Sequence, residues 1–336
     1  MTSAAGLSKP PALARVLERV TATVRANQML LPGQTVLVCV SGGPDSVCLV
    51  ETLARLRRLF KIRIEVFHLD HRLREGSADD AVYVQRLAAR LGLPFHLRVA
   101  TEGPDRGESV EAWARTQRMA ASAQVADLIG AERIAEGHTL DDQAETLLIA
   151  LVRGGGLEAL AGIAPVLGRE IQPLLDVTRA EVEAACRSLR LRPRIDPTNA
   201  DTGLLRNAIR LVGLPALEAA TGRDLRATIA RTADHLRIDE RELSARAHLA
   251  AERITLETAT GCSLPVDALL ELPEAVRTRV VRLALYRLGI VPSHADIGAV
   301  LDLAAGRPGR RRDLTGSAAA RRTSTTVALR PPPGRR

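Results

Sequence analysis

The chain has no run of about 18 apolar residues, so the sequence offers no helical membrane span. Its opening stretch, MTSAAGLSKPPALARVLERV, has no apolar segment ending in a small-residue cleavage site, which argues against secretion. Cysteine is scarce: Cys39, Cys48, Cys186 and Cys262 lie far apart and form no Cys-x-x-Cys pair. That pattern argues against a cysteine-held metal or iron–sulfur site and fits a reduced, cytoplasmic protein. Lysine is almost missing, with Lys9 and Lys61 the only two, so the basic residues are nearly all arginine. Trp113 is the single tryptophan. A Gly-x-x-x-x-Gly-Lys-Ser/Thr motif is also missing, so kinase- or GTPase-type transfer of a γ-phosphate is not indicated.

What is present is a chain of 336 residues, 46% hydrophobic, long enough for about two domains with real cores. The net charge of +8 is unevenly spread. Residues 1–220 hold 27 basic against 26 acidic side chains, and residues 221–336 hold 20 against 13. The basic C-terminal third suits a polyanion, whose counterions it would release on binding. The alternative is a solvated helical surface in an arginine-rich composition.

Hydrophobic periodicity predicts an amphipathic helix over 10–30, carried by Leu13, Val16, Leu17, Val20 and Val24. Short apolar or β-branched runs then alternate with helical patterns. Strands are predicted at 35–40, 62–68, 94–99 and 132–137, and helices at 46–59, 78–92, 109–129 and 141–153. Such alternation specifies an α/β domain with a doubly wound parallel sheet. A further α/β connection covers 170–190, where Thr178 and Glu181 form a capping box. Past Pro215–Gly222 the alternation stops. The expected organisation is a catalytic domain over 1–220, a smaller, mainly helical, basic domain over 221–310, and a basic tail over 311–336. That tail has one hairpin pattern and then a Pro-rich, disordered end.

Two motifs carry chemistry. Ser41-Gly42-Gly43-Pro44-Asp45-Ser46 follows a buried strand and opens a helix. Its glycines let backbone N–H groups approach an anion, and the helix start adds unpaired donors. Ser41 and Ser46 add hydroxyls. Asp45 repels a bare phosphate, so it either holds Mg²⁺ or orients a donor. The second motif, His138-Thr-Leu-Asp-Asp-Gln-Ala-Glu-Thr, ends another strand and opens another helix. Strand C-termini line the ligand crevice of an open parallel sheet, so both motifs are expected to face one region. Asp142 and Glu145 share a helix face and would hold either Mg²⁺ or an amine. Thr139 or Asp141 is the expected N-cap.

The first hexapeptide resembles the PP-loop of the N-type ATP pyrophosphatases. The second stretch, with Arg153-Gly154 after it, is similar to the corresponding signature of tRNA(Ile)-lysidine synthetases. Further elements recur there in this order: Asp70-His71-Arg72-Leu73-Arg74, Ala114-Arg115-x-x-Arg118, Pro173-Leu174-Leu175, Arg179-x-Glu181, Asp196-Pro197-Thr198-Asn199 and Arg206-Asn207-x-x-Arg210. Met119 stands where the family often has an aromatic residue. The resemblance is close over about 33–215.

It implies an ATP- and Mg²⁺-dependent ligase that adenylates the wobble cytidine of tRNA(Ile) with a CAU anticodon. The ε-amine of free L-lysine then displaces AMP. Implied nucleotide contacts are Ser41, Gly42, Gly43, Pro44, Asp45, Ser46 and His71, with Asp45 also the Mg²⁺ ligand. His138 would hold or polarise the phosphate, and Arg115, Arg118 and Arg206 would neutralise charge. Asp142, with Glu145 second, would bind the lysine ammonium and accept its proton. A tRNA thiolase of the same fold is the alternative enzyme, and such enzymes commonly use cysteines or an iron–sulfur cluster. Arg206 and Arg210 either contact phosphates, or Arg206 pairs with Asp196 to lock the domain. Trp113 is expected in the core rather than as a base-stacking platform.

Overall fold

The computed structural model describes residues 10–73, 76–105, 107, 109–194 and 200–332. Arg74 and the Asp196–Asn199 element fall outside them. The chain divides into two compact units between His235 and Leu236.

The first unit runs α1 (Pro11–Ala26), β1 (Thr35–Cys39), α2 (Pro44–Phe60), β2 (Arg63–Asp70), α3 (Ser77–Leu91), β3 (Phe95–Val99), α4 (Val110–Ile129), β4 (Arg133–Ala135) and α5 (Leu140–Val152). It continues through α6 (Leu157–Leu160), β5 (Val166–Leu167), β6 (Glu170–Ile171), α7 (Arg179–Ser188), α8 (Leu205–Ala208), a π-turn at Ile209–Gly213 and α9 (Leu214–Thr221). Helix α10 (Leu225–Ile254) carries the chain across the boundary between units.

The sheet order is β3-β2-β1-β4-β6-β5, parallel except for the β5–β6 pair. Burial on both faces explains why β1 reads as an unbroken apolar run. Val36, Val38 and Val40 point into one core with Leu13, Val16 and Val20 of α1 and Val47 and Leu53 of α2. Leu37 and Cys39 point the other way, against Val125 and Ala126 of α4. This is the doubly wound α/β fold expected from the alternation. The chain leaves β1 toward β2 on one side, and β4 takes up the other. The carboxyl ends of β1 and β4 therefore flank the switch point, where such sheets open a ligand crevice.

The second unit departs from the expectation of a mainly helical domain. After the end of α10 come β7 (Leu256–Thr258), β8 (Gly261–Pro265), α11 (Val266–Leu270), α12 (Glu274–Arg287), α13 (His294–Ala305), β9 (Arg311–Leu314), β10 (Ala318–Arg322) and β11 (Thr326–Arg330). The strands form one antiparallel sheet, ordered β7-β8-β11-β10-β9. Residues 311–330, expected as a separate tail with a hairpin, are three strands of this sheet. Leu314, Ala320, Val327 and Leu329 pack with Leu264, Val280, Leu285 and Val300 in a core of its own. The expected hairpin is the β10–β11 pair, but the sheet around it has a weak signature, since β7 has three exposed residues and β10 reads Ala-Ala-Ala-Arg-Arg, which has helical propensity. The boundary also lies later than 215–222, inside a helix with no glycine or proline to mark it. Among the described residues no helix is long and apolar enough to cross a membrane.

Candidate active site

The loop after β1 is built by its own hydroxyls. Ser46 Oγ accepts from the Ser41 amide at 3.2 Å and donates to the Gly43 carbonyl at 3.0 Å, and the two serine hydroxyls lie 3.1 Å apart. Gly42 takes φ +96°, a left-handed conformation that L side chains rarely adopt. Gly43 caps α2 with no side-chain bond to its first turn, and Pro44 follows. The free amides of that turn are the donors an anion needs. From β2, His68 Nδ1 donates to the Val40 carbonyl at 2.7 Å, bracing the strand end behind the loop.

The turn after β4 lies directly on this loop. A Cβ on Gly137 would sit 3.2 Å from the backbone of Asp45 and Ser46. Thr139 caps α5 in a full capping box with Asp142. The Thr139 amide and hydroxyl both donate to Asp142 Oδ2, at 2.8 and 2.7 Å. Asp141 is not the cap. It accepts from the Arg179 amide at 2.8 Å and pairs with Arg226 at 3.1 Å.

Arg179, the first residue of α7, ties the two motifs together. Its Nη2 meets Asp142 Oδ1 at 3.1 Å, its Nη1 meets Glu145 Oε1 at 3.2 Å, and its Nε lies 3.8 Å from Asp45 Oδ2. Arg206 reaches Asp142 and Glu145 at 3.9 Å and Glu111 at 3.4 Å. These neighbours set the carboxyls apart. Burial and the nearby Asp142 push Asp45 up to about 7, against the opposing pull of Arg179. Burial also tends to raise Asp142, but Arg179, His138 and the Thr139 bonds outweigh it and hold Asp142 low. Glu145 is raised by burial and by Asp142. Among the described residues, two buried carboxylate oxygens lack a hydrogen-bond partner, Asp45 Oδ1 and Glu145 Oε2.

A second group centres on Glu136, at the end of β4. His138 Nε2 approaches Glu136 at 3.4 Å and Arg118 Nε at 3.3 Å. Against the cost of burial, His138, Arg118 and Arg115 hold Glu136 down at about 2, so it is a permanent anion. His71 packs edge-on to buried Trp113, with ring centres 5.8 Å apart. Burial, with the charges of Arg118 and His68, lowers His71 to about 4, so its imidazole is neutral.

The structure thus gathers Asp45, Asp142, Glu145 and Arg206 around Arg179. It places His138, Arg118 and Arg115 around Glu136, with His71 beside Arg118 and Trp113. Sequence reasoning did not put Glu136 in the site; its signal was an acid ending a strand just before Gly137. Arg179 stood out only as part of a recurring element, and its role needed the fold. Arg210 does not point to the same carboxylates: its Nη2 bonds Asn207 Oδ1 at 2.8 Å. Asp45 with its unpartnered oxygen fits a Mg²⁺ ligand, since Mg²⁺ commonly takes one or two carboxylates and completes its shell with phosphates and water.

Comparison with known proteins shows the family. The PP-loop domain family matches residues 14–217, which makes the first unit a PP-loop fold. The TilS substrate binding domain matches residues 264–324. The tRNA(Ile)-lysidine synthase of Symbiobacterium thermophilum is 42% identical over 289 residues, covering 81% of this chain and 59% of the relative. That of Thermobifida fusca is 39% identical over 274 residues, covering 81% of this chain and 82% of the relative. The chain belongs to the tRNA(Ile)-lysidine synthase family. It spans about three-fifths of the length of several curated relatives it matches. Among solved structures, the U34-tRNA thiolase NcsA from Methanococcus maripaludis, with its [4Fe-4S] cluster, shares the fold at a TM-score of 0.58 and 17% identity. That match covers 67% of this chain and 78% of the thiolase.

Proposed function

We propose that the chain uses ATP and free L-lysine to convert the wobble cytidine of a CAU-anticodon tRNA(Ile) to lysidine, releasing AMP and pyrophosphate. The observation that carries this reading is the meeting of the phosphate loop after β1 with the carboxylates of α5 at one switch point. ATP supplies the leaving group: the C2 oxygen of cytidine attacks the α-phosphate, and pyrophosphate departs. The loop amides and the hydroxyls of Ser41 and Ser46 hold the departing phosphates. His138, oriented by Glu136, and Arg118 face the charge that develops there. Asp45 would hold Mg²⁺, and the ion would spread the phosphate charge.

In the second step the lysine ε-amine attacks C2 and AMP leaves. A free lysine amine has a pKa near 10.4, so it must shed a proton. Asp142 has both oxygens hydrogen-bonded, whereas Glu145 Oε2 is buried without a hydrogen bond and has only Arg206 at 3.9 Å. We therefore assign the ammonium-holding charge to both residues and the proton to Glu145. The second unit, which carries most of the excess positive charge, receives the tRNA. Sulfur chemistry is not favoured: all four cysteines are buried, and burial with the Glu136 charge pushes Cys39 up to about 12.

The test is incubation with ATP, Mg²⁺, labelled lysine and unmodified tRNA(Ile). Label should enter the tRNA only with both small substrates, with AMP and pyrophosphate as products; ADP and orthophosphate would overturn the reading. In Glu145→Gln, adenylated tRNA should still form while lysine incorporation falls by about 10²–10⁴. Loss of adenylation as well would move Glu145 to the nucleotide.

A further inference from the structure

The proposed lysine site already contains a cation. Arg179 lies across Asp142 and Glu145 at 3.1 and 3.2 Å, and Glu145 is almost wholly inside the protein. A lysine ammonium bound between the same carboxylates would sit against a guanidinium, and like charges in a partly desolvated crevice repel strongly. Arg179 cannot shed its charge to make room, because a guanidinium stays protonated in proteins. It can only move.

The structure also indicates where. Arg179 Nε is 3.8 Å from Asp45, a member of the phosphate loop, and its side chain is only 19% exposed, on the wall shared by both motifs. A nucleotide phosphate held by that loop offers a strong competing anion, and arginine matches phosphate geometry in a bidentate way. Resting on the lysine and ATP assignments made above, we infer that Arg179 is a positioning residue that couples the two subsites. Without nucleotide its guanidinium occupies the lysine carboxylates; with nucleotide it turns to the phosphates and exposes them. Glu145 Oε1 and Asp142 Oδ1 are the positions the guanidinium vacates for the incoming ammonium, beside Glu145 Oε2, which is buried without a hydrogen bond. Lysine then enters only a site already loaded with ATP. Coupling of this kind is reciprocal, so lysine must tighten nucleotide binding by the same factor.

The experiment is calorimetric titration of L-lysine into the full-length protein, with and without the α,β-methylene analogue of ATP and Mg²⁺. The methylene bridge replaces the bond that adenylation breaks. Lysine should bind at least tenfold more tightly with the analogue present. In Arg179→Gln, lysine should bind without the analogue about as tightly as the parent does with it, and the analogue should change its affinity less than twofold. A purely structural role predicts the opposite for this variant, loss of lysine binding under both conditions, and that result overturns the inference. If the variant melts too low to use, the parent protein still decides. Equal lysine affinity with and without analogue overturns the coupling and leaves the lysine site standing. No lysine binding in either condition, with the analogue still bound, removes the lysine site and the coupling together.

Discussion

Asp45 shows how function and stability oppose each other at a single residue. Its carboxyl is raised to about 7 by burial and by Asp142, and one oxygen has no partner. The folded state therefore holds the proton more tightly than the unfolded chain. Protonation favours folding, a contribution fully present below the ordinary 3.8 and lost as pH rises through about 7. In Mg²⁺-free buffer at pH 8, Asp45→Asn should then be more stable than the parent, by about 2 kcal/mol after discounting for partial exposure. Thermal melts at pH 8 and pH 5 check this, since the advantage should shrink at the lower pH. Adenylation should be abolished at both. A variant that melts lower at pH 8 would mean that Asp45 is not under electrostatic strain.

At the scale of elements, the site depends on two strand-to-helix turns lying against each other. The first turn of α2 and the turn before α5 meet at Gly137, where a methyl group would press on the backbone of Asp45 and Ser46 rather than on a movable side chain. Gly137→Ala should displace the phosphate loop by a few tenths of an ångström. The expected cost is about 1–3 kcal/mol of stability, the range for overpacking. A KM for ATP raised about tenfold should accompany it, with the lysine KM changed less. Steady-state adenylation kinetics on the folded variant test the split; an unchanged ATP KM would show that the loop tolerates the shift. The capping box of Thr139 and Asp142 belongs to the same scale. It fixes the start of α5 and uses one Asp142 oxygen, leaving Glu145 a turn later as the carboxylate with room to act.

At the scale of the molecule, the two units have separate cores, and the proposed function gives them different tasks. The first unit builds the nucleotide crevice on a parallel sheet, and the second presents a basic sheet. Alternation along the strands sends Ala318, Ala320, Val327 and Leu329 inward. Arg311, Arg321 and Arg330 lie on the opposite, exposed face. Arg311 and Arg321 are directly opposite in register, but Arg311 already pairs with Asp313 at 2.8 Å, which leaves Arg321 and Arg330 to meet an anion on this face. The Arg321→Glu, Arg330→Glu double variant should weaken tRNA binding at low salt while leaving ATP binding unchanged. Each lost phosphate contact should also lower the slope of log affinity against log salt by about 0.7–0.9. Binding measured from 50 to 200 mM salt tests this; an unchanged slope would return these arginines to plain surface.

Much of this was legible in the sequence because local rules sufficed. The buried run at 35–40, the glycine pair after it and the capping threonines each report a conformation through neighbouring residues alone. So the order of strands and helices, the phosphate loop and the acidic start of α5 could be read directly. Long-range charge pairing could not. Nothing near Arg179 in the chain says that its side chain meets Asp45, Asp142 and Glu145, which lie 134, 37 and 34 positions away. Nor does local sequence distinguish Asp142, with both oxygens hydrogen-bonded, from Glu145, with one that is not. The sheet of the second unit was hidden for a related reason: alanine and arginine carry little β signal, and those strands hold their shape through partners far along the chain. Sequence alone determined the alternation of strands and helices, the phosphate loop and the acidic start of α5. Only the tertiary structure decided which charged groups neutralise one another, because ion pairing and desolvation depend on distances that folding sets.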